Sequence, residues 1–221
     1  MSNFIKNQKI LLSFDLDNTL INNREGIVNS FDYALKKYNV PTLERAKIEK
    51  MIGTPLDDMF KEVSNINPKD LSSSFREYYR DQGIYQGSLL PGVKETLEVL
   101  KQQHFTLGVI TSKRQELAVK ITKILGIFEY FEYVIGESEN ARSKLDPNLK
   151  KLLQDNYGEY KIVIIGDHPK DMALAENIGA PFIGVLTGNH SVDELRFLNR
   201  TKTLILPSVK DLFPNLIYSL F

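Results

Sequence analysis

Short apolar runs alternate with longer amphipathic stretches along this chain, and their order sets the expected architecture. Ile10-Leu11-Leu12-Ser13-Phe14 is an apolar run that stops abruptly at Asp15-Leu16-Asp17-Asn18-Thr19. A run of this kind reads as a strand buried on both faces, as in a parallel sheet. Phe105 to Ile110, Tyr133-Val134-Ile135, Lys161 to Ile165 and Phe182 to Leu186 repeat it, and Leu204-Ile205-Leu206 reads as a short edge strand. Helical stretches separate them: Val93 to Gln103, Gln115 to Leu125 with Gly126 as its stop, Asn148 to Asp155, and Asp171 to Ile178. Strands alternating with helices predict a parallel sheet with right-handed crossovers. The apolar tail Leu212 to Phe221 predicts a docked helix.

The first strand is followed by something other than a single crossover helix. Arg24 to Tyr38 carries Ile27, Phe31, Ala34, Leu35 and Tyr38 at helical spacing. Pro41-Thr42 opens a second helical pattern through Ile48 and Met51, Gly53-Thr54-Pro55 breaks it, and Leu56 to Val63 restarts it. A further helix begins at Pro68 and runs through Phe75, Tyr78 and Tyr79 until Gly83 and Gly87. No strand pattern occurs here, so residues 22–87 read as an all-helical insert with its own core.

Composition narrows the class. The 221 residues allow one sizeable domain with a small insert. Lys+Arg and Asp+Glu are both 28, so no basic excess points to nucleic acid. Cysteine is absent, which excludes a disulfide framework and a thiol nucleophile. No run of about 18 apolar residues is long enough to span a membrane. Met1 to Gln8 lacks the apolar core of a signal peptide, so a cytoplasmic enzyme is expected.

The chemistry sits at the strand ends. Asp15 and Asp17 follow the first strand, where open α/β sheets bind ligands. Carboxylates that close repel unless they share a cation or a proton; taken alone, the pair also fits an Asx turn closing the strand. Three further segments supply complementary groups: Thr111-Ser112-Lys113, Ser143-Lys144-Leu145-Asp146-Pro147, and Gly166-Asp167-His168-Pro169-Lys170-Asp171. Two acidic pairs, a hydroxyl and a lysine together suit a nucleophile, a phosphate clamp and a magnesium cage.

In this ordered set, the chain resembles the haloacid dehalogenase-like hydrolases, and among them the phosphoglycolate phosphatase-like branch with a helical cap inserted after the first strand. The similarity spans Ile10 to about Leu212. It implies a doubly wound, Rossmann-like α/β core at 1–21 and 88–221, with an all-helical cap at 22–87. It assigns Asp15 as nucleophile and Asp17 as the acid that protonates the leaving oxygen and later deprotonates water. Dehalogenases typically lack the second acid, so Asp17 points to phosphatase chemistry. Thr111 and Lys144 would hold the phosphoryl oxygens, with backbone N–H groups of Leu16 and Ser112. Asp15, Asp167, Asp171 and the carbonyl of Asp17 would form an all-oxygen magnesium site. His168, out of character in such a site, reads as a supporting or structural group. Family members usually carry glycine at the position of Asn18 and a second proline at that of Leu145. Asn tolerates left-handed backbone angles.

Substrate selection is expected from the cap, with Arg24 and Thr54 as candidate contacts, and from Ser112 and Lys113 near the leaving group. The expected partner is a small phosphorylated metabolite: phosphoglycolate, a sugar phosphate or a nucleoside monophosphate. Nucleic acid and membrane are not expected, and a monomer or homodimer is. A phosphomutase with the same core and a non-enzymatic phosphoacceptor domain are the competing readings.

Overall fold

The structure, a computed structural model, describes residues 8–139, 141–196 and 202–221. The chain divides into two compact units, residues 1–21 with 89–221, and residues 22–88. The first unit is built on a six-stranded sheet. Its strands are β1 (Ile10–Phe14), β4 (Thr106–Arg114), β5 (Tyr133–Glu137), β6 (Lys161–Gly166), β7 (Phe182–Val185) and β8 (Thr203–Leu206). Two short strands precede β4 in the chain, β2 (Ile21–Asn22) and β3 (Ser88–Leu89); they pair with each other where the chain leaves and re-enters the sheet-bearing unit. The sheet order is β5-β4-β1-β6-β7-β8, with every neighbouring pair parallel.

That order places β1 at the centre and explains its composition. All five of its residues are buried, because helices cover both faces of such a sheet. Ser13 is tolerated in the middle because its hydroxyl bonds the hydroxyl of Tyr133 on β5. Gly108, paired with Ser13 on the intervening β4, makes that reach possible: a Cβ there would lie 2.3 Å from the Tyr133 ring. The connections run outward from β1 to β4 and β5, then return across it to β6, β7 and β8. The chain therefore reverses direction beside β1, and ligands in such sheets bind at the carboxyl ends of strands at this switch point.

The helices of this unit are α5 (Val93–Gln102), α6 (Gln115–Ile124), α7 (Pro147–Tyr157), α8 (Pro169–Ile178) and the short α9 (Pro214–Tyr218). Leu149 and Leu153 of α7 and Met172, Leu174 and Ala175 of α8 pack with Ile110, Ile164 and Phe182 of the sheet. Gly126 and Gly179 follow helix ends with φ of 67° and 72°, the left-handed stop that glycine makes cheaply. The expected helical tail shrinks to α9, since Leu212 and Phe213 are extended and Pro214 occupies the first helical position.

The second unit holds α1 (Arg24–Lys37), α2 (Arg45–Met51), α3 (Leu56–Lys61) and α4 (Pro68–Asp81). Phe31, Leu35, Ile48, Met59, Phe60 and Leu71 form its own core, with the Phe31 and Phe60 rings stacked 4.3 Å apart. Three details differ from the periodicity. Val28 is buried and Ile27 only half-buried, while Phe31, Ala34 and Leu35 of the expected stripe are buried. The second helix opens at Arg45 rather than at Pro41, after an irregular segment. The 3₁₀ turn Gly83–Tyr85 follows α4, packed so closely that a Cβ on Gly26 would lie 2.1 Å from the carbonyl oxygen of Gly83.

Candidate active site

β1 and β6 are neighbours, so the residues after each meet at one edge of the sheet. Asp15 follows β1, and its N–H donates to the Ile165 carbonyl at 2.7 Å. The chain then turns back on itself: the Leu16 carbonyl accepts from the N–H groups of Leu20 and Ile21, and Asn18 takes a left-handed φ of 56°. Asn18 thus holds the turn that glycine would otherwise fill. Its carbonyl accepts a hydrogen bond from the Thr187 hydroxyl, in the loop after β7.

Asp167 follows β6, and Asp171 lies in the first turn of α8. Carboxylate oxygens of Asp15, Asp167 and Asp171 lie within 4.8 Å of one another, and all three residues are buried. Two glycines make room for them. A Cβ on Gly166 would lie 2.2 Å from Asp171 Oδ2, and one on Gly188 would lie 1.9 Å from Asp167 Oδ2. The Thr19 hydroxyl donates to Asp167 Oδ1 at 3.1 Å.

Lys144 enters this cluster from the turn before α7. Its Nζ lies 2.5 Å from Asp15 Oδ1 and bonds Asp171 Oδ1 as well. The turn is shaped by Asp146, whose side chain accepts from the N–H groups of Asn148 and Arg142, both at 2.9 Å. Asp146 therefore caps α7 and fixes the approach of Lys144, with no need of a proline at Leu145. Asp171 has both oxygens engaged, because Oδ2 accepts from the His168 N–H at 3.2 Å. His168 itself caps α8: its Nδ1 accepts from the Lys170 N–H at 3.0 Å. Burial, with the neighbouring His190, holds the His168 imidazole down to about 4, so it stays neutral as a cap.

The electrostatics of the cluster are unbalanced. Three carboxylates face one ammonium, leaving a deficit that a hard dication with all-oxygen ligands matches. Burial pushes Asp15 up to about 7 against the pull of Lys144, with Asp171 and Asp17 adding to the rise. Burial and the charges of Asp15 and Asp171 push Asp167 up to about 8. Burial alone would lower Lys144, but the two carboxylates beside it outweigh that and raise it above its ordinary value. The donor set therefore suits a metal.

Thr111 is buried near the end of β4, and its Oγ1 accepts from the Lys113 N–H at 3.2 Å, which leaves its own hydrogen to donate. β4 was expected to stop at Ile110; it continues to Arg114 after a register shift against β5. Ser112 is exposed there. The Asp17 carboxylate stands outside the buried trio and pairs with Lys113 Nζ at 3.0 Å. Arg24 and Thr54 belong to the helical unit, Arg24 at the start of α1 and Thr54 exposed before α3. Thr19, Gly166, Thr187 and Gly188 were not singled out from the sequence. Thr19 lies two residues past the acidic pair and Gly166 precedes Asp167, whereas nothing local marks Thr187 or Gly188.

The arrangement is that of an α/β protein with an acidic cluster at the ends of adjacent parallel strands. The profile of the haloacid dehalogenase-like hydrolases matches residues 12–185, and the chain belongs to that family. It is 34% identical over 197 residues to "Probable phosphatase IndB" of Dickeya dadantii, covering 85% of this chain and 86% of that protein. It is 31% identical over 188 residues to a 5'-nucleotidase of Pseudomonas aeruginosa, covering 83% and 85%. A haloacid dehalogenase-like hydrolase from Streptococcus pneumoniae superimposes with a TM-score of 0.83 at 28% identity, over 96% of this chain and 98% of that one. The chain is thus a hydrolase of the phosphatase type.

Proposed function

We propose that the protein is a magnesium-dependent phosphatase that hydrolyses a small phosphate monoester through an aspartyl-phosphate on Asp15. The buried set of Asp15, Asp167, Asp171 and Lys144 at the ends of adjacent strands carries this reading. In the first step the Asp15 carboxylate attacks phosphorus, the bond to the leaving oxygen breaks, and Asp17 gives that oxygen its proton. In the second, Asp17 takes a proton from water, the resulting hydroxide attacks the phosphoryl group, and Asp15 is released with inorganic phosphate. Lys144, the Thr111 hydroxyl and the backbone N–H groups of Leu16 and Ser112 meet the charge on the equatorial oxygens. Asp15, Asp167 and the Asp17 carbonyl would hold magnesium, which would supply the charge that lets an acidic cluster accept a phosphate dianion. Asp171, with both oxygens engaged, acts by holding Lys144 in place. The substrate class is a small phosphate monoester such as phosphoglycolate, a sugar phosphate or a nucleoside monophosphate.

The test is turnover of a phosphate-ester panel with magnesium and with chelator, in wild type and Asp15→Asn. Wild type should require magnesium and show a phosphoryl adduct by intact mass after rapid quench. Asp15→Asn should show neither turnover nor adduct. Equal rates in chelator, or retained turnover in Asp15→Asn, would overturn the mechanism.

A further inference from the structure

Two lysines reach the strand-end carboxylates, and they divide them. Lys144 takes Asp15 and Asp171. Lys113 takes Asp17, Nζ to Oδ2 at 3.0 Å. The Lys113 side chain is only 9% exposed, against 27% for the Asp17 side chain. A lysine that covered is nearly always paired, since an ammonium leaves water at high cost without an opposite charge. Low solvent access also makes the attraction stronger than at the surface.

The backbone of Lys113 is fixed as well. Its N–H is tied to Thr111 Oγ1 at 3.2 Å. The next residue but one, Gln115, clamps β5 through both ends of its amide: Nε2 donates to the Val134 carbonyl at 2.8 Å, and Oε1 accepts from the Gly136 N–H at 2.7 Å. Gly136 packs so tightly against this segment that a Cβ would lie 2.4 Å from the Lys113 carbonyl oxygen. The ammonium is therefore presented from a rigid base, on the strand next to β1, which leads into the turn that holds Asp17.

Asp17 has the opposite character. It lies in a turn, is partly open to solvent, and stands outside the buried trio. Its nearest acidic neighbours repel it, so an unheld carboxylate would rotate toward water and away from the reacting centre. We propose that Lys113 is a positioning residue that holds the Asp17 carboxylate in the orientation from which it transfers protons. This rests on the reading of Asp17 as acid and base. It departs from the expectation that Lys113 meets the leaving group directly. The bonds made and broken are those already described; Lys113 neither gains nor loses a proton.

Misplacing a proton-transfer group should slow the ester with the poorer leaving group most. The test compares phenyl phosphate with 4-nitrophenyl phosphate, which are similar in shape but differ in how much they need a proton at the leaving oxygen. In Lys113→Met we expect kcat/KM, which reports the steps through departure of the leaving group and not the later hydrolysis common to both esters, to fall about 10-fold or more for phenyl phosphate and about threefold or less for 4-nitrophenyl phosphate. Retained 4-nitrophenyl phosphate turnover reports that the variant is folded. Lys113→Arg should recover most of the loss. In an Asp17→Asn background, Lys113→Met should add almost nothing, because the group it positions is gone. A KM raised alike for both esters with unchanged kcat would make Lys113 a substrate contact and overturn the proposal. So would equal losses of kcat/KM on both esters, or full additivity with Asp17→Asn. If Asp17→Asn alone lowers kcat/KM for both esters equally, the reading of Asp17 as leaving-group acid fails, and the proposal with it. A leaving-group effect in Asp17→Asn but not in Lys113→Met overturns the proposal alone.

Discussion

The acidic cluster should make the metal-free protein lose stability as pH rises, in a window its residues define. Burial and neighbouring charge raise Asp15 from 3.8 to about 7 and Asp167 from 3.8 to about 8. Between those values the folded protein keeps protons that the unfolded chain has released. Stability therefore falls as pH climbs from about 4 to about 8 and levels off above. Lys144, raised by its two carboxylates, stays charged across the window and adds no slope there. Each pH unit over which one extra proton is retained costs about 1.4 kcal/mol. For Asp15 alone, from 3.8 to about 7, that comes to about 4 kcal/mol. The two carboxylates titrate as a coupled pair, so one proton sets the scale. Urea unfolding in chelator, followed by far-ultraviolet circular dichroism, should show a loss of about 3 kcal/mol between pH 5 and pH 7. Asp167→Asn should flatten the slope. Magnesium should restore most at pH 8 and least at pH 5, because its ligands must be deprotonated to bind it. Stability that is flat or rises with pH in chelator, or a slope untouched by Asp167→Asn, would refute the reasoning.

Three further outcomes follow from single positions. Gly188→Ala puts a Cβ 1.9 Å from Asp167 Oδ2; displacing that carboxylate should weaken magnesium activation about 10- to 100-fold, read from the metal concentration at half-maximal rate. Asn18 has a φ of 56°, so Asn18→Val should cost about 1–2 kcal/mol in urea unfolding while Asn18→Gly stays near wild type. His168→Ala removes the cap of α8 and should cost about 1 kcal/mol of stability while leaving turnover strictly dependent on magnesium, which an EDTA titration of the variant checks.

Much of the fold is legible in the chain itself. β1, but for Ser13, and the middle of β6 are apolar because a central parallel strand is covered on both faces, and that requirement is written into consecutive residues. Gly126 marks the end of a helix because the left-handed stop favours glycine locally. β2 and β3 were not legible, since two residues cannot display a period. The opening of α2 was misplaced because a proline marks either a helix start or an extended approach to one.

For the site, the order of the motifs named Asp15, Lys144, Asp167 and Asp171 as one group, since each acid or base closes a strand or opens a helix. How they are held belongs to the tertiary structure. Residues 15, 144 and 171 are distant in sequence, and only the pairing of β1 with β6 and the turn before α7 bring one ammonium between two carboxylates. The space for Asp167 depends on Gly188, in a loop after another strand. The pairing of Asp17 with Lys113 depends on β4 running past its expected end. Local periodicity encodes which surface is buried, residue by residue. Desolvation, charge pairing and the room for a side chain are sums over neighbours that only the folded chain supplies.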